Sequence, residues 1–298
     1  MKIYSRIADV VGNTPLVKFG RALTDDSKLF AKLEFMNPTG NIMDRMAYVV
    51  LEEAAKSKLL LKGMTIVVPT CPVFGASLSM VAHSLGYNLL LVTTDDLAER
   101  NIDVLKHFNP EIVLTPAKKG LAGAYKKANE IMSVRKDAYL LGQYREHLLE
   151  DRHYASLAQE IWEDMDWDLD IFIAGIGSGG ALSGTGHLLK KKNSKLKVIG
   201  VEFAPGFEEK HSYLKCCVHD VTLHNDNLLD EMMTIPLDVA ANASQRLAQD
   251  NGILCGVKSG AAAAAAEIIA SREENINKSI VALFPDSTYG RGQVLRDV

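Results

Sequence analysis

A turn that leads directly into a helical pattern stands near the N-terminus, in the sequence Asn37-Pro38-Thr39-Gly40-Asn41-Ile42-Met43-Asp44-Arg45. Asn-Pro and Gly are typical of a turn. Apolar residues at helical spacing follow at once and predict a helix; they are Met46, Ala47, Val50, Leu51, Ala54 and Ala55. Such a junction presents side chains and helix N–H groups to a ligand. We therefore expect a binding site here.

On both sides of this junction, short apolar runs alternate with segments of helical periodicity. The runs predict strands at 65–68, 89–92, 112–114, 138–141, 170–174, 198–201 and 280–284. The periodic segments predict helices at 76–85, 97–108, 121–134, 154–163, 181–191, 237–249 and 260–271. Apolar runs joined by helices are typical of parallel sheets with right-handed crossovers. We predict an α/β fold, with an irregular segment at 204–232.

The composition is that of an ordinary globular protein. The 298 residues are 47% apolar and 23% charged, which allows one large domain or two smaller ones. A net charge of −4 gives no electrostatic basis for binding nucleic acid or an anionic membrane. No apolar run reaches the roughly 20 residues that cross a bilayer, and the N-terminus lacks the apolar core of a secretion signal. Four cysteines without paired spacing favour a reducing compartment, so we expect a cytoplasmic protein.

A glycine-rich loop, Gly175-Ile176-Gly177-Ser178-Gly179-Gly180, follows one predicted strand and opens a helix. Glycines let backbone N–H groups approach a phosphate at a helix N-terminus. Gly175, Gly177 and Gly180 also satisfy G-x-G-x-x-G, and Glu202 ends the next strand about 20 residues later, as in dinucleotide sites. We predict a phosphate or anion site, and the glycines leave open whether the phosphate belongs to a dinucleotide.

Two further groups of polar residues are candidates for a site. Ser287, in Pro285-Asp286-Ser287, follows the last predicted strand, where ligands of parallel sheets bind. Taken by itself, it is better explained as a serine that caps a turn. A second group contains zinc-ligand residue types, His211, Cys216, Cys217 and His219. Its spacing matches no zinc pattern, so we predict no metal site.

Five segments occur in the order and spacing of the cysteine synthase (O-acetylserine sulfhydrylase) family. They are residues 12–17, 37–45, 177–181, 256–266 and 284–287. The chain thus resembles fold-type-II pyridoxal-phosphate enzymes, which are related to cystathionine β-synthase and share the tryptophan synthase β architecture. The resemblance implies two three-layer parallel-sheet domains with the cofactor between them, and a homodimer. Residues 1–41 and 148–298 would form the larger, cofactor-binding domain, and residues 42–147 the smaller, mobile substrate-loop domain.

Several positions match the residues that hold cofactor and substrate in this family. The phosphate loop Gly-Thr-Gly-Gly-Thr corresponds to Gly177, Ser178, Gly179, Gly180 and Ala181, so that one hydroxyl is lost. The resemblance assigns Ser287 to the pyridine nitrogen of the cofactor and Gln143 to the substrate carboxylate.

Other positions depart from the family. The substrate loop Thr-Ser-Gly-Asn-Thr-Gly corresponds to Thr70, Cys71, Pro72, Val73, Phe74 and Gly75. Val73 thus replaces the asparagine that bonds the cofactor ring, and Pro72 replaces a flexible glycine and removes an N–H donor. A Gly-Ile-Gly-Ala-Gly segment that lines the family's active site has no match near residues 215–218. Met43 stands where the family has the lysine that carries the cofactor covalently.

These departures predict a cysteine-synthase-like protein with a degraded active site. A thioether cannot form the carbon–nitrogen double bond that a lysine makes. We expect a non-catalytic binding or regulatory homologue that keeps an anion or phosphate site and binds pyridoxal phosphate non-covalently or not at all. Two alternatives remain: an active cysteine synthase or related β-substituting or β-eliminating enzyme, and a dinucleotide-binding protein. The family also offers a protein partner as precedent, since the synthase cleft receives the C-terminal tail of serine acetyltransferase.

A lysine also stands at an unexpected position. Lys258-Ser259-Gly260 opens a predicted helix where the family has Ser-Ser-Gly. Lys258 has three possible roles: a positive charge for an anionic ligand, an amine that joins the cofactor from the other side, or a side chain that extends into solvent.

Overall fold

The computed structural model of the chain describes residues 3–20, 28–95, 99–142, 154–177, 179–204 and 228–287. The strands in these ranges are β1 (Leu16–Lys18), β2 (Leu29–Leu33), β3 (Thr65–Pro69), β4 (Asn88–Thr94), β5 (Glu111–Thr115), β6 (Ala138–Leu140), β7 (Ile171–Gly175), β8 (Lys197–Phe203), β9 (Glu231–Ile235) and β10 (Ile280–Phe284). The helices are α1 (Met43–Lys56), α2 (Pro72–Leu85), α3 (Glu99–Phe108), α4 (Gly120–Val134), α5 (Ala155–Asp164), α6 (Gly180–Lys192), α7 (Leu237–Asn251) and α8 (Val257–Ala270).

The chain divides into two compact units. The small unit contains Met1–Val11 and Met43–Leu149, and the large unit contains Gly12–Ile42 and Glu150–Val298. The sequence assigns residues 1–11 to the larger domain, whereas the contacts in the structure group Met1–Val11 with the small unit. The N-terminal segment joins the small unit because its 3₁₀ turn Ile7–Val10 packs on α2, where Ala8 N donates a hydrogen bond to Ser84 Oγ at 3.3 Å.

The large unit is built on a six-stranded sheet of order β1-β2-β10-β7-β8-β9. All neighbouring strands are parallel except β1, which runs antiparallel to β2. One face packs on α7 and α8. Alanines 261–266, all in α8, are buried in one core with Ile173 and Phe284. On the other face, a Cβ on Gly186 of α6 would lie 3.0 Å from a Val198 methyl group, so α6 packs directly on β8.

The small unit has the same layered construction around a parallel sheet of order β5-β4-β3-β6. Val67 and Leu90 point to α4, where Ala128 is buried with them. The adjacent residue Leu91 points to the opposite face, and its Cδ1 would lie 3.2 Å from a Cβ on Gly75 of α2. The alternation places helices on both faces of the sheet, and the predicted α/β class with parallel sheets is confirmed.

Element boundaries differ from the predictions in two kinds of place. Helix α2 begins at Pro72 rather than at residue 76, because proline is well suited to the first position of a helix. Strands β1, β2 and β9 were not predicted, and β9 covers part of the segment expected to be irregular. Its residues alternate in burial, and it lies at the edge of the sheet, where a strand lacks a continuous apolar run. Residues 205–227 of that segment lie outside the described ranges.

Neither a membrane-spanning helix nor a metal site is found among the residues that the structure describes. Across those ranges, no helix is long and apolar enough to cross a membrane. No group of three potential metal ligands occurs in the same ranges. The zinc-type residues His211, Cys216, Cys217 and His219 lie outside them.

Candidate functional site

Three loops meet at the carboxyl edge of the large sheet. They follow the adjacent parallel strands β2, β10 and β7, so the sheet order brings them to one edge. The loop after β2 touches the segment after β10 directly. Asn41 forms an antiparallel bridge with Asp286, and Ile42 N donates to Pro285 O at 3.2 Å. This edge is where ligands of parallel sheets bind.

The glycine loop after β7 forms the N-terminus of α6. Ile176 N donates to Val201 O at 2.7 Å and anchors the loop to β8. Gly179 is the N-cap residue, with φ +85° and no side-chain hydrogen bond capping the helix. The first backbone N–H groups of a helix have no intrahelical acceptor. A Cβ on Gly177 would have no atom within 4 Å, so there is open space beside the loop. This arrangement suits an anion.

Ser287 lies half-buried just past β10. A Cβ on Gly40 would lie 3.7 Å from Ser287 Oγ, and Gly40 has φ +83°, a conformation that favours glycine. The loop after β2 therefore lies against the Ser287 hydroxyl.

A buried carboxylate precedes Ser287. Asp286 is 2% exposed, and its Oδ1 accepts hydrogen bonds from Ser259 N at 3.1 Å and Ser259 Oγ at 2.8 Å. The Asp286 carbonyl oxygen accepts from Gly256 N at 2.9 Å. Asp286 thus acts as a capping group for α8 from a distant part of the chain.

Sequence reasoning missed a buried network that holds the loop after β2. Glu34 is fully buried and accepts hydrogen bonds from Thr14 Oγ1 at 2.6 Å and Asn37 Nδ2 at 2.9 Å. Asn37 Oδ1 in turn accepts from Gly12 N at 2.9 Å. Thr14 and Asn37 both belong to segments that carried the resemblance. Their polar side chains beside a buried apolar strand were the available signal.

Lys258 is the second residue of α8 and is half-buried. Within the described ranges it forms no ion pair. A cation in the first turn is unfavourable because the helix dipole is positive there.

The nearby Cys255 is fully buried, and burial, with the Asp286 charge as a second cause, raises the pKa of its thiol to about 12. That thiol is therefore protonated and inert at neutral pH.

The predicted substrate loop lies in the small unit, after β3. Thr70 is buried, and its N–H donates to Val92 O at 2.9 Å. Cys71 is the N-cap residue of α2, and its carbonyl oxygen accepts from Gly75 N at 2.8 Å. Val73 is half-buried and Phe74 is fully buried in the first turn of this helix. The loop is therefore largely a helical turn.

Met43 is the first residue of α1 and is half-buried, whereas the following Asp44 and Arg45 are buried. Gln143 and Ser178, the remaining predicted site residues, lie outside the described ranges.

Comparison with known proteins identifies the family of the chain. The sequence profile of the pyridoxal-phosphate dependent enzymes matches residues 7–286. The chain belongs to this family. It is 32% identical over 282 residues to cysteine synthase B of Campylobacter jejuni, covering 91% of this chain and 92% of that protein. This places it in the cysteine synthase group, as the resemblance implied.

Solved structures of this group have the same fold. A cysteine synthase from Entamoeba histolytica matches with a TM-score of 0.88 and 26% identity, covering 100% of this chain and 92% of the other. A lysine-to-alanine mutant of O-ureido-L-serine synthase, solved with O-ureido-L-serine bound, matches with a TM-score of 0.83 and 26% identity. That match covers 99% of this chain and 94% of the other.

The carboxyl edge of the large sheet fits the phosphate of the family's cofactor. The first N–H groups of α6, which have no acceptor within the helix, and the space beside Gly177 suit a phosphate. Ala181 offers no hydroxyl, so its contribution is limited to the backbone N–H. In this member of the pyridoxal-phosphate dependent enzymes, the backbone features of the site are present, and Met43 has no amine.

Proposed function

We propose that the chain is a non-catalytic member of the cysteine synthase group, which binds pyridoxal phosphate or another anionic ligand without a covalent bond. The observation that carries this proposal is Met43, at the position where the group's sequence pattern has its lysine. The methionine side chain is a thioether without an amine, so it cannot condense with an aldehyde as lysine does. A homodimer with a binding or regulatory role is part of the proposal.

Binding of a phosphate group at this site requires no lysine. Gly179, Gly180 and Ala181 supply the N–H groups at the start of α6, where a helix favours negative charge. The Ser287 hydroxyl is available to a ring nitrogen at the same sheet edge. When bound, pyridoxal phosphate supplies an electron-withdrawing ring. The protein's own part is to bind the phosphate and orient the ring.

A structural relative supports ligand binding without a lysine. The O-ureido-L-serine synthase mutant holds its ligand although one lysine is replaced by alanine. In a protein of this fold, losing a lysine is thus compatible with a bound amino acid. The same separation of binding from chemistry is what we propose for the present chain.

An active cysteine synthase-type enzyme is the second candidate. Its support is the names of the relatives, which are cysteine synthases that match over most of their length and of this chain. Such an enzyme would form cysteine from O-acetylserine and sulfide, or would carry out a related β-substitution or β-elimination. It would need an amine other than residue 43, and Lys258 is the candidate on the large unit.

One experiment separates the two candidates. The purified protein is mixed with pyridoxal phosphate, and its visible absorbance and its formation of cysteine from O-acetylserine and sulfide are measured. The proposal expects reversible cofactor binding, with no spectrum of lysine-linked cofactor and no cysteine above a protein-free control. Sustained cysteine formation by the unaltered chain would overturn it in favour of the enzyme.

A further inference from the structure

Asp286 is joined to the start of α8 by an unusually complete set of hydrogen bonds. Ser259 donates to its carboxylate through both backbone N–H and hydroxyl, at 3.1 and 2.8 Å. Ser259 Oγ also lies 3.1 Å from the Asp286 carbonyl oxygen, which accepts from Gly256 N at 2.9 Å as well. We call Asp286, Ser259 and Gly256 the Asp286 clamp. All three residues are buried.

The clamp leaves no room for a side chain at residue 256. A Cβ on Gly256 would lie 2.5 Å from both Asp286 Cγ and Asp286 Oδ2. Real Cβ atoms do not approach so closely, so the carboxylate would have to move. The close approach of the two segments therefore depends on a glycine whose φ of −82° requires no special freedom. The closeness of Asp286, rather than an unusual backbone conformation, explains why residue 256 is a glycine.

The clamp determines where the Ser287 hydroxyl lies. Asp286 is the residue before Ser287, and it is held from one side by α8 and from the other by its bridge to Asn41. Ile42 N holds the preceding carbonyl, that of Pro285, at 3.2 Å. Ser287 itself is half-buried beside Gly40. The backbone on which the hydroxyl stands is thus fixed by two different segments of the large unit.

We propose that Asp286 is a positioning residue, which sets the Ser287 hydroxyl against the ring of a phosphorylated heteroaromatic ligand and so makes the anion site selective for that class. The inference rests on the proposed function, because it takes a ligand to bind at this edge. Binding of a bare phosphate by the glycine loop does not involve the clamp, since that loop belongs to β7 and α6. The clamp therefore affects ring-bearing phosphates and leaves inorganic phosphate unaffected.

The test compares two ligands in variants that disturb the clamp from its α8 side. Gly256→Ala displaces the carboxylate, and Ser259→Ala removes the hydroxyl bonds but keeps the backbone bond. The matched control is Asn275→Ala, which removes a buried hydrogen bond of 2.8 Å to Ile269 O, at the other end of α8. Affinities for pyridoxal phosphate and for inorganic phosphate are measured by titration calorimetry on the full-length protein.

We expect both clamp variants to bind pyridoxal phosphate about tenfold more weakly, the effect of losing one hydrogen bond in a site. Inorganic phosphate affinity stays within about twofold of the parent protein, and the control keeps both affinities. The inference is overturned if the clamp variants keep the parent's preference for pyridoxal phosphate. It is also overturned if they lose both ligands equally, since a general structural defect then explains the loss.

Hydrogen exchange provides a readout that needs no ligand. In the clamp variants, the backbone amides of Phe284, Asp286 and Ser287 exchange about tenfold faster or more, while the control leaves them unchanged. If the parent protein binds neither ligand, the proposed function fails, and exchange alone decides on the positioning role. Faster exchange then supports the clamp, and unchanged exchange overturns it.

Discussion

The Ser183 N–H donates a hydrogen bond to the Gly179 carbonyl oxygen at 2.8 Å, and the Ser183 hydroxyl donates to the same oxygen at 2.9 Å. These two bonds hold the first turn of α6 on a residue whose φ is +85°. Side chains with a Cβ rarely adopt this conformation. The geometry of this turn therefore depends on the absence of a side chain at residue 179.

Gly179→Val is expected to abolish binding of phosphate and sulfate, because a β-branched residue disfavours the backbone conformation and blocks the approach of the anion. We also expect a loss of about 1–2 kcal/mol in the free energy of unfolding. The matched control is Gly252→Val, since Gly252 has φ +70° and a Cβ there would meet no atom within 4 Å. The control loses similar stability and keeps anion binding. Phosphate affinity unchanged in Gly179→Val would contradict the assignment of the loop.

Met43→Lys restores an amine at the first residue of α1. After incubation with pyridoxal phosphate and borohydride, peptide mapping is expected to find a stable adduct at residue 43 in this variant and none there in the parent protein. Met46→Lys, half-buried on the same helix, is the control and is expected to give none.

Cysteine formation by the Met43→Lys variant is expected to remain low, because Pro72 and Val73 are unchanged. Adding Pro72→Gly and Val73→Asn raises the rate at least about tenfold. Full activity in the single variant would contradict this account.

Lys258→Met separates the possible roles of this lysine. We expect weaker binding of anionic ligands by about threefold to tenfold, because a half-buried positive charge is lost. We expect no borohydride-stable adduct on Lys258 in the parent protein. An adduct would instead establish the amine role. Unchanged anion affinity together with no adduct would leave only a lysine that extends into solvent.

Cys255 is expected to lower the stability of the fold as the pH rises into the alkaline range. Burial raises the pKa of its thiol from 9.0 to about 12. Between these values the unfolded chain loses the proton and the folded chain keeps it, so stability falls as the pH rises. The expected slope is up to about 1.4 kcal/mol per pH unit. Urea unfolding from pH 8 to pH 11 should therefore show a smaller loss of stability in Cys255→Ala. Equal slopes in the variant and the parent protein would refute the shift.

Thr185 carries a hydroxyl that is buried without a hydrogen-bond partner among the residues that the structure describes. Thr185→Val removes that hydroxyl and keeps the side-chain shape. We expect the free energy of unfolding to rise by up to about 1–2 kcal/mol, because a buried, unpaired polar group is unfavourable. Thr115→Val is the control, since its buried hydroxyl donates to Thr93 O at 3.2 Å, and it should lower stability. A loss of stability in Thr185→Val would reveal a partner for the hydroxyl.

Much of the fold was predictable because it follows from local patterns. The strand at 280–284 has the predicted bounds, since a central strand of a parallel sheet is a continuous apolar run. The edge strands β1 and β9 were missed because they are half solvated and carry no such run. The start of α2 was placed too late because proline was interpreted as a loop residue, although it is favourable at the first helical position.

The sequence by itself determined the chemistry at two places. It put a thioether at residue 43, and it put glycines at the start of α6, where the first backbone N–H groups have no acceptor within the helix. Neither conclusion requires knowledge of a distant contact.

Only the tertiary structure revealed the Asp286 clamp and the buried hydrogen bonds that join Glu34 to Thr14 and Asn37. Ser259 and Asp286 are 27 residues apart, and Thr14 and Glu34 are 20 apart, so no local periodicity relates them. Each polar side chain is stable in the interior only because a partner from another segment satisfies it. Which segments meet is decided by the order of strands in the sheet, and that order is a property of the folded chain.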